Sequence, residues 1–136
     1  MRGPLGPQSV PIVRSRSAQF DELVLDAVDR LQPRWGTELA EVEVGVEDVP
    51  PTVTDQPVAL GAAVPARPER AAAAGRPAQP GTAARVVVYR RPIEGRAPNR
   101  TLLRLLVNDV VVEQVAVLLG LDAAQVDPDY LGDEPD

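Results

Sequence analysis

Asn99 to Gly120 reads N-R-T-L-L-R-L-L-V-N-D-V-V-V-E-Q-V-A-V-L-L-G, and its reading decides the fold. A capping-type asparagine opens the run, a glycine closes it, and apolar residues recur between them at three- and four-residue steps. The pattern predicts a helix roughly 30 Å long, about the width of a small domain. Leu102, Leu103, Leu106, Val110 and Val117 fall in one sector, which Val107, Val111, Val115 and Leu118 widen. Leu105, Val112 and Leu119 lie on the far side. A helix apolar on nearly every side is buried on nearly every side. The polar exceptions are therefore informative. Arg104 and Asn108 share one side and Asp109 and Glu113 another, with Glu113 inside the main apolar sector. A carboxylate there is expensive to desolvate unless it is paired, protonated or facing a cleft. The plain expectation is a face left open at a sheet edge, with both acids solvated or paired with an arginine.

Working outward, Ser17 is the expected cap of a first helix, with Phe20, Leu23, Val24, Ala27, Val28 and Leu31 on its apolar face. Pro33 should end or kink it, and Trp35 and Leu39 carry the face into a second short piece. Core packing is the expected role of this single tryptophan. Glu41 to Glu47 alternates acid and valine, the period of a half-buried strand. Arg85 to Arg90 (R-V-V-V-Y-R) is a second strand, apolar enough to lie inside a sheet or against a helix. Between them, residues 49–84 read as a long Pro-, Ala- and Gly-rich loop, partly disordered, with one short strand near Val58 to Leu60. Pro92 and Pro98 bracket a turn or a single helical turn, and Asp122 with Gln125 at the capping-box position starts a short final helix. The expected organisation is an extended arm over residues 1–15, a domain over 16–130 and an acidic tail over 131–136. Asp127 and Asp129 are expected to be solvated with that tail.

Composition narrows the chemistry. Aromatic residues make up 3% of the chain, so Val, Leu and Ala must fill the core. The net charge of −6 counts against general nucleic-acid binding. All 14 basic residues are arginine, which with the Ala, Pro and Val content points to a high-GC bacterial genome. With no cysteine, disulfides and thiolate-bound metal are excluded. With no histidine, the commonest metal ligand and the usual neutral-pH general base are missing too. The N-terminal stretch carries no apolar run of signal-peptide length, and no segment approaches a membrane span. A cytoplasmic protein with no membrane partner is expected.

The long helix after the V-V-V-Y strand resembles the short, single-domain bacterial metallopeptidase family with a zincin-like fold. F-D-E-L-V-L-D-A-V at 20–28, V-E-D-V-P-P at 46–51, V-A-L-G at 58–61 and V-V-V-Y-R-R-P-I-E at 86–94 fit it in order and spacing, over most of residues 10–130. The resemblance implies an α+β fold: a small mixed sheet packed on an N-terminal helix and a long central helix, with a short C-terminal helix. It also implies zinc, held in that family by H-E-x-x-H-x-x-G-x-x-D on the central helix. Matching the glycine to Gly120 puts Glu113 and Val117 at the histidine positions, Gln114 at the general base and Ala123, beside Asp122, at the third ligand. A second register puts Asn108 and Asp109 at His-Glu and Val112 at the second histidine, and forfeits the glycine. Neither gives a zinc site, because valine cannot ligate a metal and glutamine cannot act as a base.

The expected protein is thus a zincin-like scaffold without metal, cofactor or peptidase activity, acting as a protein- or peptide-binding module. In active zincins an edge strand beside the metal helix pairs with extended substrate. Arg85 to Arg90 is the expected edge, with Arg85, Arg90 and Arg91, together with Asp109 and Glu113, as candidate binding residues and an acidic peptide or protein as partner. The alternative is an active hydrolase with an unconventional site built on Asp109 and Glu113.

Overall fold

The computed structural model describes residues 16–51 and 58–130. The expected arm over 1–15 and the expected acidic tail over 131–136 lie outside them. Seven elements follow in order: α1 (Arg16–Leu39), β1 (Glu43–Glu47), β2 (Gly61–Val64), β3 (Arg85–Tyr89), α2 (Arg90–Arg96), α3 (Arg100–Leu119) and α4 (Ala123–Val126). This is the α+β arrangement expected, four helices and a three-stranded mixed sheet.

The central helix forms where its caps place it. Asn99 accepts a hydrogen bond from Leu102 N–H at 2.9 Å, and Gly120 closes the helix at φ 71°, a left-handed value that costs glycine little. Val107, Val110, Val111, Val112, Val115 and Ala116 are buried, against Phe20, Leu23, Val24, Ala27 and Leu31 of α1 and Val86 and Val88 of β3. Each buried Val or Leu contributes on the order of 2 kcal/mol by leaving water. Arg16 is already helical, so Ser17 lies inside the described first helix and not ahead of it as a cap. Pro33 leaves its mark two residues on: Trp35 has non-helical φ/ψ (−120°, 15°), and the helix continues past that kink to Leu39. Trp35 packs at the rim of the core and donates its Nε1–H to Val126 O at 2.7 Å, tying α1 to α4.

The sheet corrects one expectation. Its strand order is β1-β3-β2, with β1 parallel and β2 antiparallel to β3. The strand at Arg85 to Tyr89 is therefore the centre of the sheet, with a neighbour on each side, and cannot receive a third. Its run of valines reflects this, since Val86 to Tyr89 are all buried. Arg90, expected to end the strand, instead opens α2.

The short strand of the long loop forms at Gly61–Val64, just after the expected Val58 to Leu60, and pairs with β3 as Gly61↔Val88 and Val64↔Arg85. The same antiparallel register continues past the sheet through isolated bridges Arg67↔Thr82, Arg70↔Gln79 and Ala73↔Arg76. It turns at Gly75, whose φ of 76° suits the second central position of a type II turn. Residues 60–89 thus make one long hairpin, sheet at its base and narrow ribbon at its tip.

Candidate functional site

The two possible registers of the degenerate motif are separated by burial. Val112, the second histidine position of one register, is 0% exposed in the core, so it presents nothing to a metal or a substrate. In the register set by Gly120, Glu113 and Gln114 are half-buried and Val117 is 65% exposed. That face of α3 is open. Beside it runs β2, held close by Gly61: a Cβ there would stand 2.8 Å from Val110 Cγ1, 2.9 Å from Val87 O and 3.1 Å from Gln114 Cγ. Glycine is required at 61 because helix and strand leave no room for a methyl group.

Glu113 finds the partner that its place in an apolar sector demands, and it is not an arginine. The Tyr130 hydroxyl donates to Glu113 Oε2. The segment after α4 thereby folds back onto the position of the family's first histidine. Asp122 begins α4 as expected, its N–H donating to Gln125 Oε1 at 2.8 Å.

A second polar cluster lies one turn towards the start of α3. Asp127, expected in a solvated tail, is 4% exposed. Arg30 Nη2 donates to its Oδ2 at 2.9 Å, and Asp129 N–H to its Oδ1 at 3.0 Å. Burial by itself pushes the carboxyl up. The Asp129 N–H, the Arg30 guanidinium and the Asn108 amide outweigh that and hold it below the ordinary carboxylate value. Asn108 thus spends its amide on Asp127, and its buried Oδ1 has no partner among the described residues. Asn108 and Asp109 line a groove of about 450 Å3 with Arg30, Arg96 and Leu105. Asp109 therefore faces a different surface from the open Gln114–Val117 face. The side-chain pairings of Arg30 with Asp127 and of Tyr130 with Glu113 carry no local signal in the sequence, because the partners lie 97 and 17 positions apart.

Of the arginines expected to bind a partner, Arg85 and Arg90 are engaged within the chain. Arg85 pairs with Glu47 at 3.7 Å, and Arg90 pairs with Asp48 at 3.0 Å and Glu94 at 3.1 Å. The Asp48 hydrogen bond leads the effects that raise the Arg90 pKa, so it stays a cation fixed in an internal network. The side chain of Arg91 is exposed, while its N–H donates to Asp48 O at 3.0 Å.

The chain belongs to the zincin-like metallopeptidase family, whose sequence model, described as Zincin-like metallopeptidase, matches residues 39–132. No curated protein matches it. That family implies a zinc ion, and the residues at its site do not fit one. At the matched positions stand a carboxylate bonded to a tyrosine hydroxyl, an amide, an isopropyl group and a methyl group. Among the described residues no group of three or more His, Cys, Asp or Glu is placed to hold a metal ion. Among them, too, no helix is long and apolar enough to cross a membrane.

Proposed function

We propose that this protein is a metal-free member of its family that binds an extended acidic segment of another protein by strand addition at the outer edge of β2. The observation that carries the reading is the outer edge of β2, unpaired among the described residues and running beside an α3 face whose metal positions have become glutamine and exposed valine. A peptide paired there gains main-chain hydrogen bonds without any catalytic group to cleave it. The sheet has a second edge, β1, but Glu43 and Glu47 flank it and repel an acidic strand. The β2 edge leads instead into arginine-bearing chain.

Register supplies a clean test. Tyr89 N–H donates to Leu60 O, so residues 60, 62 and 64 face β3 and the N–H groups of 61 and 63 point to the open edge. Ala63→Pro removes an outward donor and leaves the ladder to β3 intact, as proline at an edge allows. Loss of peptide binding in this variant, at unchanged stability, is the expected result. Elemental analysis of untagged protein separates this reading from the hydrolase alternative: a stoichiometric zinc ion lost on mutating Glu113 or Asp109 would overturn it.

A further inference from the structure

The hairpin beyond β2 and β3 changes its repeat. Hydrogen-bonded pairs within the sheet recur every two residues, as in any antiparallel ladder. Past Val64 they recur every three, at Arg67↔Thr82, Arg70↔Gln79 and Ala73↔Arg76. Each rung is reciprocal, with both N–H···O bonds between 2.8 and 3.1 Å. Three residues per repeat is the period of polyproline II, and Pro65, Pro68, Pro77 and Pro80 supply the φ it needs. The two strands lie close. A Cβ at Gly81 would stand 3.0 Å from Arg67 O and 3.1 Å from Glu69 N.

This repeat has a consequence for the side chains. A residue that turns both its N–H and its C=O to the partner strand stands its side chain off the face of the ribbon. Three residues later the threefold turn is complete, and the next such residue presents the same face. Arg67, Arg70, Arg76, Gln79 and Thr82 therefore share one face, with one arginine at every rung. The contacts agree: Arg70 donates across its rung to Gln79, and Arg67, Arg70, Gln79 and Thr82 wall one hollow with Pro68 and Pro80. Rungs of three residues at a 3.1 Å rise stand about 9 Å apart, so three guanidinium groups span about 19 Å.

These arginines differ from those of the body. Arg30, Arg85 and Arg90 pair with the chain's own carboxylates, whereas among the described residues Arg67, Arg70 and Arg76 form no ion pair. Every residue from 65 to 82 is exposed. With three arginines against Glu69, the arm is at +2 on a chain of −6, so the remainder carries −8.

We propose that the arginine face of this arm is the docking surface for an extended acidic protein segment with a carboxylate at every third residue. In the polyproline II conformation such a segment presents its carboxylates on one face about 9 Å apart, matching the rung spacing. A nucleic-acid strand fits less well, since beyond the arm's three cations it runs onto the acidic body. The proposal rests on the β2 reading and deepens it. The arm continues directly from β2, so a peptide paired along the β2 edge carries its acidic residues onto the arm.

The test is fluorescence anisotropy on the full chain with three labelled probes: a Glu-Ser-Thr repeat dodecapeptide, its Gln-Ser-Thr counterpart, and a single-stranded oligothymidylate. The Glu peptide is expected to bind saturably and the Gln peptide about tenfold or more weakly. Replacing all three arm arginines (Arg67→Gln, Arg70→Gln, Arg76→Gln) is expected to weaken binding about tenfold or more, as three exposed ion pairs of ordinary strength allow. Arg104→Gln, on the body, should leave it unchanged. Equal affinity in the triple variant, absence of saturable Glu-peptide binding, or tighter arginine-dependent binding of the oligothymidylate would each overturn the proposal. If the triple variant loses binding while Ala63→Pro keeps it, the arm docks the peptide and the β2 reading falls. If Ala63→Pro alone loses binding, the edge stands and the arm does not.

Discussion

Asp127→Ala reaches furthest into the structure. Asp127 is 4% exposed and joins three elements: Arg30 of α1, Asn108 of α3 and the turn after α4 at Asp129. The three donors lose their acceptor to different extents. Arg30 is half exposed at 49% and rehydrates, and the Asp129 N–H belongs to an exposed residue. The Asn108 amide loses its acceptor beside an Oδ1 that is already buried and, among the described residues, unpaired. The loss of the Asn108 amide's acceptor, together with the lost charge-assisted Arg30 contact, amounts to about 2 kcal/mol. For a domain of this size that lowers Tm by about 8 °C. The carboxyl's pKa lies below its ordinary value of 3.8 in the folded protein. Its stabilisation is therefore fully present above about pH 4 and is lost as the pH falls through the lower, folded value. Thermal melts of Asp127→Ala and the parent chain, followed by circular dichroism from pH 7 to pH 2, should show a gap that is constant down to about pH 4 and narrows below it. A gap that is negligible at pH 7, or that stays unchanged at the lowest pH, would refute the reasoning.

Other substitutions test other joints. Tyr130→Phe deletes the hydroxyl that Glu113 accepts from and should destabilise by about 1 kcal/mol, read as a lower urea midpoint at constant m-value. Gly61→Ala forces a methyl group against Val87 O and Val110 and should cost about 1–3 kcal/mol, with weakened exchange protection confined to β2 and the β3 amides it pairs with. Asn99→Ala removes the N-cap of α3 and should cost about 1 kcal/mol by the same denaturant measurement. The combined variant Glu113→His, Gln114→Glu, Val117→His and Ala123→Asp should acquire stoichiometric zinc in elemental analysis run beside the parent chain; failure to bind would show that α3 and the following turn no longer hold the family's ligand geometry.

What could be read without coordinates was what short-range forces decide. The ends of α3 follow from Asn99 and Gly120 and the kink at Trp35 from Pro33, because each depends on neighbours within a turn or two. Burial of α3 on nearly every side does not hold: Leu102, Leu105 and Val117 are 44%, 55% and 65% exposed, because no other element covers those faces among the described residues. The loss of the zinc ligands was equally legible, since valine and glutamine have the same donor chemistry wherever they stand. Tertiary structure alone decided which strand is central. R-V-V-V-Y-R suits an edge or a middle position, and only its pairing with both β1 and β2 chooses between them. It likewise decided that Asp127 is buried while its neighbour Asp129 is exposed, and that Glu113 is answered by a tyrosine. The partners of those carboxylates lie tens of residues away, where no periodicity in the chain records them and only the packing of α1, α3 and α4 brings them within reach.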